Sequence, residues 1–355
     1  MNGIAAKLKL RFLRLLRFFA AILTLTMRLI LTTLLLATFI HAQQPAAPKP
    51  KAFTDPAHTD DDFAIQGEYT GQLEGKSYGV QIWAQGGGKF EAVSYQGGLP
   101  GAGWDGDREK VTRTVGERAE GGKTAWFTVK DGTLKAEANG QSILVNNTAD
   151  GVRVMELNRT DRTSPTLGAQ PPESAVVLFD GKGVNRFPNS RVDEPIGALM
   201  EGITSEDTFG DCSLHLEFML PYMPDARGQG RGNSGLYLQG RYEVQMLDSF
   251  ALEGKDNECG GLYKIAVPKV NMCLPPLTWQ TYDVDFTAAK YDAEGKKTTN
   301  AKITVKHNGV IIHENQELPG STTSAPKKEE NTPGPIYLQN HGNPVRYRNI
   351  WVVRK

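Results

Sequence analysis

Beyond residue 60 the chain is written almost entirely in short alternating runs cut apart by glycine, and this pattern excludes most folds at once. KSYGVQIWAQ, KFEAVSYQ, TAWFTVKDG, LKAEANG, SILVNN and VRVMELNR follow one another between residues 62 and 160, with DG, NG and GG as punctuation. Successive side chains of a strand point to opposite faces, so a period of two builds sheet and not helix. Pairs such as NG and DG supply the positive φ angles of tight hairpins. VVLFDG, CSLHLEFML, SGLYLQG, RYEVQML, TYDVDFTA, AKITVKHNG, VIIHEN, GPIYLQNHG and YRNIWVVRK carry the pattern to the C terminus. The expected fold class is all-β, with a small all-β domain over 62–160 and a sandwich or jelly roll over 175–355. Residues 161–174, DRTSPTLGAQPPES, read as a Pro-rich linker, so the second half is expected to fold without the first.

The opening segment has a different composition. RFLRLLRFFAAILTLTMRLILTTLLLATFIHAQQPAAPKP has a basic start, an apolar run and small residues before a Pro/Ala/Lys stretch. That is the pattern of a secretory signal over 1–42, followed by a tether at 43–61. Met27 opens a compact signal by itself and is an alternative start, with cleavage near Ala42 in either case. The competing reading is an uncleaved membrane anchor. Arg28 lies within the longer apolar run and counts against a span, at a cost of about 2.5–3.5 kcal/mol for a central arginine. The expectation is an exported protein, periplasmic or extracellular. The first 42 residues hold six basic and no acidic side chains, which leaves 34 basic against 40 acidic in the remainder. A nucleic-acid binder would carry the opposite excess. Of three cysteines, Cys212 alternates with Leu214 and Leu216 as a core thiol would, while Cys259 and Cys273 are close enough in sequence to pair. No Cys or His spacing matches a zinc site.

The polar face of the second domain is informative. His215 and Glu217, Tyr237 and Gln239, Glu243 and Gln245, and Tyr337, Gln339 and His341 each lie opposite an aliphatic set on their own strand. A solvated sheet face usually carries Lys, Thr, Ser and Arg. Amides, carboxylates and aromatic rings suit sugars, whose hydroxyls need donors and acceptors and whose C–H faces stack on rings. A plain solvated face is the alternative. DARGQGRGNSG, residues 225–235, has the glycines to fold over such a site and could bring Arg231 and Asn233 into it; a flexible hairpin loop is the competing reading. Tyr263 and Lys264 are candidates for the rim. Trp104, in QGGLPGAGWDGDRE, is expected to be packed rather than to contact sugar or calcium. His307 and His313 are expected to be structural, and KKEE at 327–330 to be a solvated loop.

LFDGK (178–182), GNSGLYLQGRYEVQMLDS (232–249), CGGLYK (259–264), PPLTWQTYDVDF (275–286), VKHNGVIIHEN (305–315) and GPIYLQNHGNPVRYRNIWV (334–352) together resemble one bacterial family. It is the 3-keto-disaccharide hydrolase family, also described as the 3-keto-glucoside 1,2-lyase / 3-keto-2-hydroxy-glucal hydratase domain. The resemblance covers about 175–355 in order, with Phe187 where a tryptophan is expected, and leaves 62–160 uncovered. It implies a concanavalin-like jelly roll with a carbohydrate site on the concave face. It also implies cleavage of 3-keto glycosides after a separate sugar 3-dehydrogenase has oxidised C3. A C3 ketone acidifies the C2 proton, so the site needs a base near C2, a donor or metal near O3 and an acid near the leaving oxygen. On matched positions Glu243 is the candidate base and His341 the candidate acid or oxyanion donor. Asp248 would orient one of them or help to hold a divalent cation, for which Glu243, Asp248 and His341 are the candidate ligands. Gln245, Gln239, Tyr237, Tyr337, Gln339, Arg231, Asn233, His215 and Glu217 would hold hydroxyls, with Tyr263 and Lys264 at the rim. The alternatives are a non-catalytic carbohydrate-binding module, a cell-surface interaction protein and a conventional glycoside hydrolase. The last would need two carboxylates flanking one bond, and this strand offers Glu243, Gln245 and Leu247.

Overall fold

The computed structural model describes residues 50–355; the leader read at 1–42 and the first part of the tether lie outside the described residues. Among the described residues no helix is long and apolar enough to cross a membrane. Helical structure there consists of four single turns of 3₁₀ helix.

The first eight strands are β1 (Gly67–Leu73), β2 (Lys76–Ala84), β3 (Lys89–Gln96), β4 (Thr112–Arg118), β5 (Ala125–Val129), β6 (Leu134–Ala138), β7 (Ser142–Asn147) and β8 (Arg153–Arg159). They pair in sequence order and close, β8 against β1, into an antiparallel barrel. Tyr69, Ile82, Phe90, Phe127 and Ala138 fill one end of its interior. Ile65, just before β1, joins that packing, and Tyr69 Oη donates to its carbonyl at 2.6 Å. β1 and β4 break the alternation because each has an inward glycine. A Cβ on Gly71 would stand 2.3 Å from the Glu156 carbonyl oxygen, and one on Gly116 2.3 Å from the Phe127 ring.

The second half is a jelly-roll sandwich. Its strands are β9 (Val176–Phe179), β10 (Val192–Asp193), β11 (Ala198–Met200), β12 (Ile203–Phe209), β13 (Cys212–Met219), β14 (Ser234–Leu238), β15 (Tyr242–Met246), β16 (Trp279–Thr287), β17 (Lys290–Tyr291), β18 (Lys297–Thr299), β19 (Ala301–His307), β20 (Val310–Leu318), β21 (Gly334–Leu338) and β22 (Arg346–Arg354). One sheet runs β10-β11-β22-β13-β16-β19-β20, with β9 also on β22; the facing sheet runs β12-β21-β14-β15, and β17 and β18 form a separate hairpin. Leu214, Leu216 and Phe218 of the larger sheet meet Leu236, Leu238, Val244 and Met246 of the smaller one in a continuous core. All three cysteines are free thiols buried in it. Inner faces of two sheets interdigitating in this way leave each sheet an outer face for other uses.

Three expectations are corrected by this arrangement. Strand β13 belongs to the larger sheet, so His215 and Glu217 lie on a different outer face from Tyr237 and Glu243. Alternation gives the side of a strand but not the sheet to which the strand belongs. Second, the Pro-rich segment 161–174 is a strap laid over β13 and β16. Gly168 N donates to Glu217 Oε1 at 2.6 Å, Thr166 Oγ1 to Asp283 Oδ2 at 2.7 Å, and Ser164 Oγ lies 2.6 Å from Thr281 Oγ1. Third, residues 50–61 are docked. Phe53 exchanges backbone hydrogen bonds with Tyr222 and packs on its ring, and Tyr222 Oη donates to Asp60 Oδ1 at 2.9 Å.

Barrel and sandwich lie within one compact unit, Pro50–Lys355. The outer faces of β2 and β3 present Trp83, Val93 and Tyr95 to Phe250 and Ala251 of the sandwich. Trp104 closes edge-on against Tyr95 with ring centroids 5.2 Å apart, in the packed role expected of it.

Candidate active site

The outer face of the smaller sheet gathers the other polar residues. Tyr237 on β14 is paired directly with Glu243 on β15 and with Tyr337 on β21, and Gly235 is paired with Gln245. Tyr237 and Tyr337 stand with ring centroids 5.4 Å apart, and Gln339 Nε2 donates to Tyr237 Oη at 3.3 Å. Gly235 is required here. A Cβ at that position would fall 2.3 Å from Glu243 Oε1, so the carboxyl group occupies the space above the neighbouring strand.

Glu243 is 3 % exposed, and among the described residues it has no cationic partner. Burial raises its proton affinity, a hydrogen bond from Tyr237 opposes this, and the net pKa is about 7. Burial, and then the Glu243 charge, push the Tyr237 phenol upward, so it stays protonated and able to donate. A carboxyl group poised near neutrality beside a neutral phenol is the equipment of proton transfer.

The loop before β14 completes the floor. Gln245 Nε2 donates to Gln229 Oε1 at 3.1 Å, and Asn233 Nδ2 donates to the Gln229 carbonyl at 2.7 Å. Both amide donors are therefore engaged, while Gln245 Oε1 and Asn233 Oδ1 are buried without a hydrogen-bond partner. Buried acceptors are seldom left unpaired, and two on one face suit the donors of a polyhydroxylated ligand. Gln229 entered the site through the tertiary fold; only its place in the glycine-rich loop marked it in the sequence. Residues 259–263 run along the free edge of β15, where Tyr263 N donates to the Glu243 carbonyl at 3.3 Å, and this brings Tyr263 to the rim. Lys264 next to it is exposed and 3.6 Å from Asp256. His341 is exposed in the turn after β21, and among the described residues its ring makes no hydrogen bond.

Several expected members are committed elsewhere. Asp248 and Arg231 form a buried ion pair, with Nε to Oδ2 at 2.7 Å and Nη2 to Oδ1 at 3.0 Å, and the guanidinium lies 4.3 Å over the Trp83 ring of the barrel. They serve the junction between barrel and sandwich. Gln239 sits in the β14–β15 turn at φ +57°, donates to the Phe209 carbonyl at 2.9 Å and accepts from Arg241. The KKEE loop clamps this end of β15: Glu330 pairs with Arg241 at 2.6 Å and Glu329 accepts from Tyr242 Oη at 2.7 Å. With Asp248 spent on Arg231, the trio Glu243, Asp248 and His341 does not form a metal-binding group, and among the described residues no cluster of three metal-ligating side chains occurs. His307 and His313 are buried and bonded to Gln280 and to the Gly260 carbonyl, in the structural roles expected of them.

A family model described as the 3-keto-alpha-glucoside-1,2-lyase-like domain matches residues 174–353. No curated protein matches the chain. Among solved structures, three provisionally named glycosyl hydrolases from Parabacteroides distasonis ATCC 8503 are similar to it. One is 31 % identical with a TM-score of 0.47, covering 52 % of this chain and 85 % of its own. The second is 17 % identical with a TM-score of 0.37, over 55 % and 98 %. The third is 20 % identical with a TM-score of 0.36, over 51 % and 99 %.

Proposed function

This chain belongs to the 3-keto-alpha-glucoside-1,2-lyase-like domain family, and from that premise we propose that it cleaves 3-keto glycosides by removing the C2 proton, expelling the C1 substituent and hydrating the product. The observation that carries this reading is Glu243, a buried carboxyl group with a pKa of about 7 and, among the described residues, no cation beside it, on a face with two orphaned amide oxygens.

The positions support the following sequence of steps. Glu243, ionised, takes the C2 proton, and the electron pair moves to the C3 oxygen as an enediolate. Tyr237, held protonated beside it, donates a hydrogen bond to developing negative charge. The electron pair then returns, the bond from C1 to the leaving oxygen breaks, and His341, from the exposed turn after β21, supplies a proton to that oxygen. Water then adds across the resulting enone: its oxygen bonds to C1, His341 takes up the proton that the water loses, and Glu243 returns its proton to C2. Gln245 Oε1 and Asn233 Oδ1 accept from sugar hydroxyls, and Tyr337, Gln339 and Tyr263 wall the ring. The ketone must come from an oxidation at C3, which makes a sugar 3-dehydrogenase the functional partner. The leader extends the proposal to an exported enzyme; mass spectrometry of the native protein tests that part, and an intact residue 1 or 27 would remove it.

Incubation with 3-keto trehalose, 3-keto sucrose and phenolic 3-keto glucosides, each beside its unoxidised parent, tests the reaction. Turnover of the keto sugars alone is expected. Cleavage of the parents at equal rates would mean conventional hydrolysis, and binding without turnover would mean a carbohydrate-binding module.

A further inference from the structure

The barrel is hollow at the end away from Ile65. A cavity of about 700 Å³ opens there, lined only by residues of the barrel half, Leu73 to Leu157. An eight-stranded barrel is at the size limit where side chains either fill the interior or leave room for one small molecule. Here they leave room, because Ala92, Ser94, Thr114 and Ala136, which line it, are inward and small. Inward apolar side chains toward the mouth, among them Leu73, Val129, Leu134 and Met155, are only half-buried, whereas those at the packed end are at most a few per cent exposed. The volume lies inside the roughly 300–1,000 Å³ span of small-molecule sites.

The two walls differ. Val129, Leu134, Ala136, Val145, Met155 and Leu157, from β5 to β8, make one wall mainly apolar, with Thr128 as its polar strand residue. The opposite wall, from β2 to β4, carries Tyr78, Ser94, Gln96, Thr112 and Thr114. These five form one patch, since Tyr78 pairs with Gln96 and Ser94 with Thr112 across adjacent strands. Among the described residues none of the five makes a side-chain hydrogen bond. At the mouth Lys110 is paired with Asp105 and Asp107 and Arg113 with Glu91, while Lys130, which makes no ion pair among the described residues, shares the lining with the Asp131 carboxylate. A fatty acid or other anion would find Lys130 alone without an ion-pair partner, with the Asp131 carboxylate next to it opposing its approach, and a purely aliphatic chain would leave the polar patch unpaired.

We propose that the barrel is a second binding site, for a neutral apolar small molecule that carries a hydroxyl group, such as a phenol. The apolar wall takes the body of the molecule and the Ser94–Thr114 patch takes the hydroxyl. Turnover at the sandwich face is not needed for this binding, so the test does not depend on the proposed reaction.

The test is a fluorescence titration of the full chain with N-phenyl-1-naphthylamine, followed by displacement with 2-naphthol and with naphthalene. Saturation at one probe per chain is expected, with 2-naphthol displacing it at several-fold lower concentration than naphthalene. Ala136→Leu, which fills the cavity, and Met155→Glu, which places a charge at the wet mouth, should each weaken probe binding tenfold or more. Thr114→Val combined with Ser94→Ala should keep probe binding and abolish the preference for 2-naphthol. Should Ala136→Leu fail to fold, Met155→Glu decides the outcome. Absence of saturable binding to the wild type, or binding unchanged in Met155→Glu, overturns the site. Equal displacement by the two competitors overturns the hydroxyl specificity.

Discussion

Among the described residues Glu243 has no counter-charge, and that is costly for folding and useful for proton transfer. Its pKa is raised from 4.5 to about 7, so the ionised form is disfavoured in the folded protein, and the cost is present wherever the group must ionise, above pH 4.5 and in full above pH 7. Glu243→Gln keeps the shape and removes the charge. It is expected to melt higher than the wild type at pH 8, to lose turnover by roughly 10²–10⁴-fold and to lose exchange of the C2 hydrogen with deuterated water, with substrate binding little changed. Wild-type kcat/KM should fall as the pH drops through about 7, because the base is being protonated. A flat profile between pH 6 and 8, or wild-type turnover in the variant, would remove Glu243 from the role. Gly235→Ala tests the same carboxyl group from the neighbouring strand. The new Cβ would meet Glu243 Oε1 at 2.3 Å while Gly235 itself has no positive φ, so activity should fall toward that of Glu243→Gln with a small change in melting temperature.

Strand β13 shows how one element serves two environments. Leu214, Leu216 and Phe218 enter the core, while His215 and Glu217 anchor the strap on the other side. Burial pushes Glu217 up, but hydrogen bonds from His215, Asn349, Arg348 and the Gly168 amide outweigh it and hold the carboxyl at about 2. Burial lowers His215, and its bonds to Asp283 and Glu217 raise it further, to a net upward shift. The signs follow. The stability from Glu217 is present above pH 4.5 and is lost as the pH falls toward 2. That from His215 is complete below its ordinary 6.5 and is lost as the pH rises through its higher folded value. The melting temperature of Glu217→Gln should therefore lie below wild type at pH 6, and the two should converge as the pH approaches 2. Parallel curves over that range would mean that the strap does not depend on this charge.

In the whole molecule, barrel and sandwich share side chains that neither could bury alone. Trp83 is 6 % exposed, with Arg231 and Arg227 over its ring, and Arg227 Nη2 reaches the Gln85 carbonyl at 2.6 Å. Trp83→Ala removes the apolar lid over the Arg231–Asp248 pair, and a large-to-small change of this kind costs about 3–5 kcal/mol. A single calorimetric transition in the wild type and two in the variant are expected; one transition in both, with little shift, would show that the junction contributes nothing. Fragment 172–355 should melt well below the full chain, because it lacks the strap residues Ser164, Thr166 and Gly168 and exposes Phe250 and Tyr222.

Alternation and glycine punctuation made the all-β class and most strands legible, because a period of two is a local property of the chain. The same parity put Tyr237, Glu243, Gln245, Tyr337 and Gln339 on one side of their strands, and these five share a sheet face. β1 and β4 escaped notice because close packing demanded glycine where alternation would have shown an apolar residue. Membership of a sheet, ion pairing and burial depend on partners far away in sequence. His215 and Glu217 therefore fell to another sheet, and Arg231 with Asp248 fell to the barrel junction. Glu243 shows the division most clearly. Its face could be read from its neighbours in the chain, but its proton affinity arises from the water excluded by a loop, a facing strand and a glycine that leaves it room.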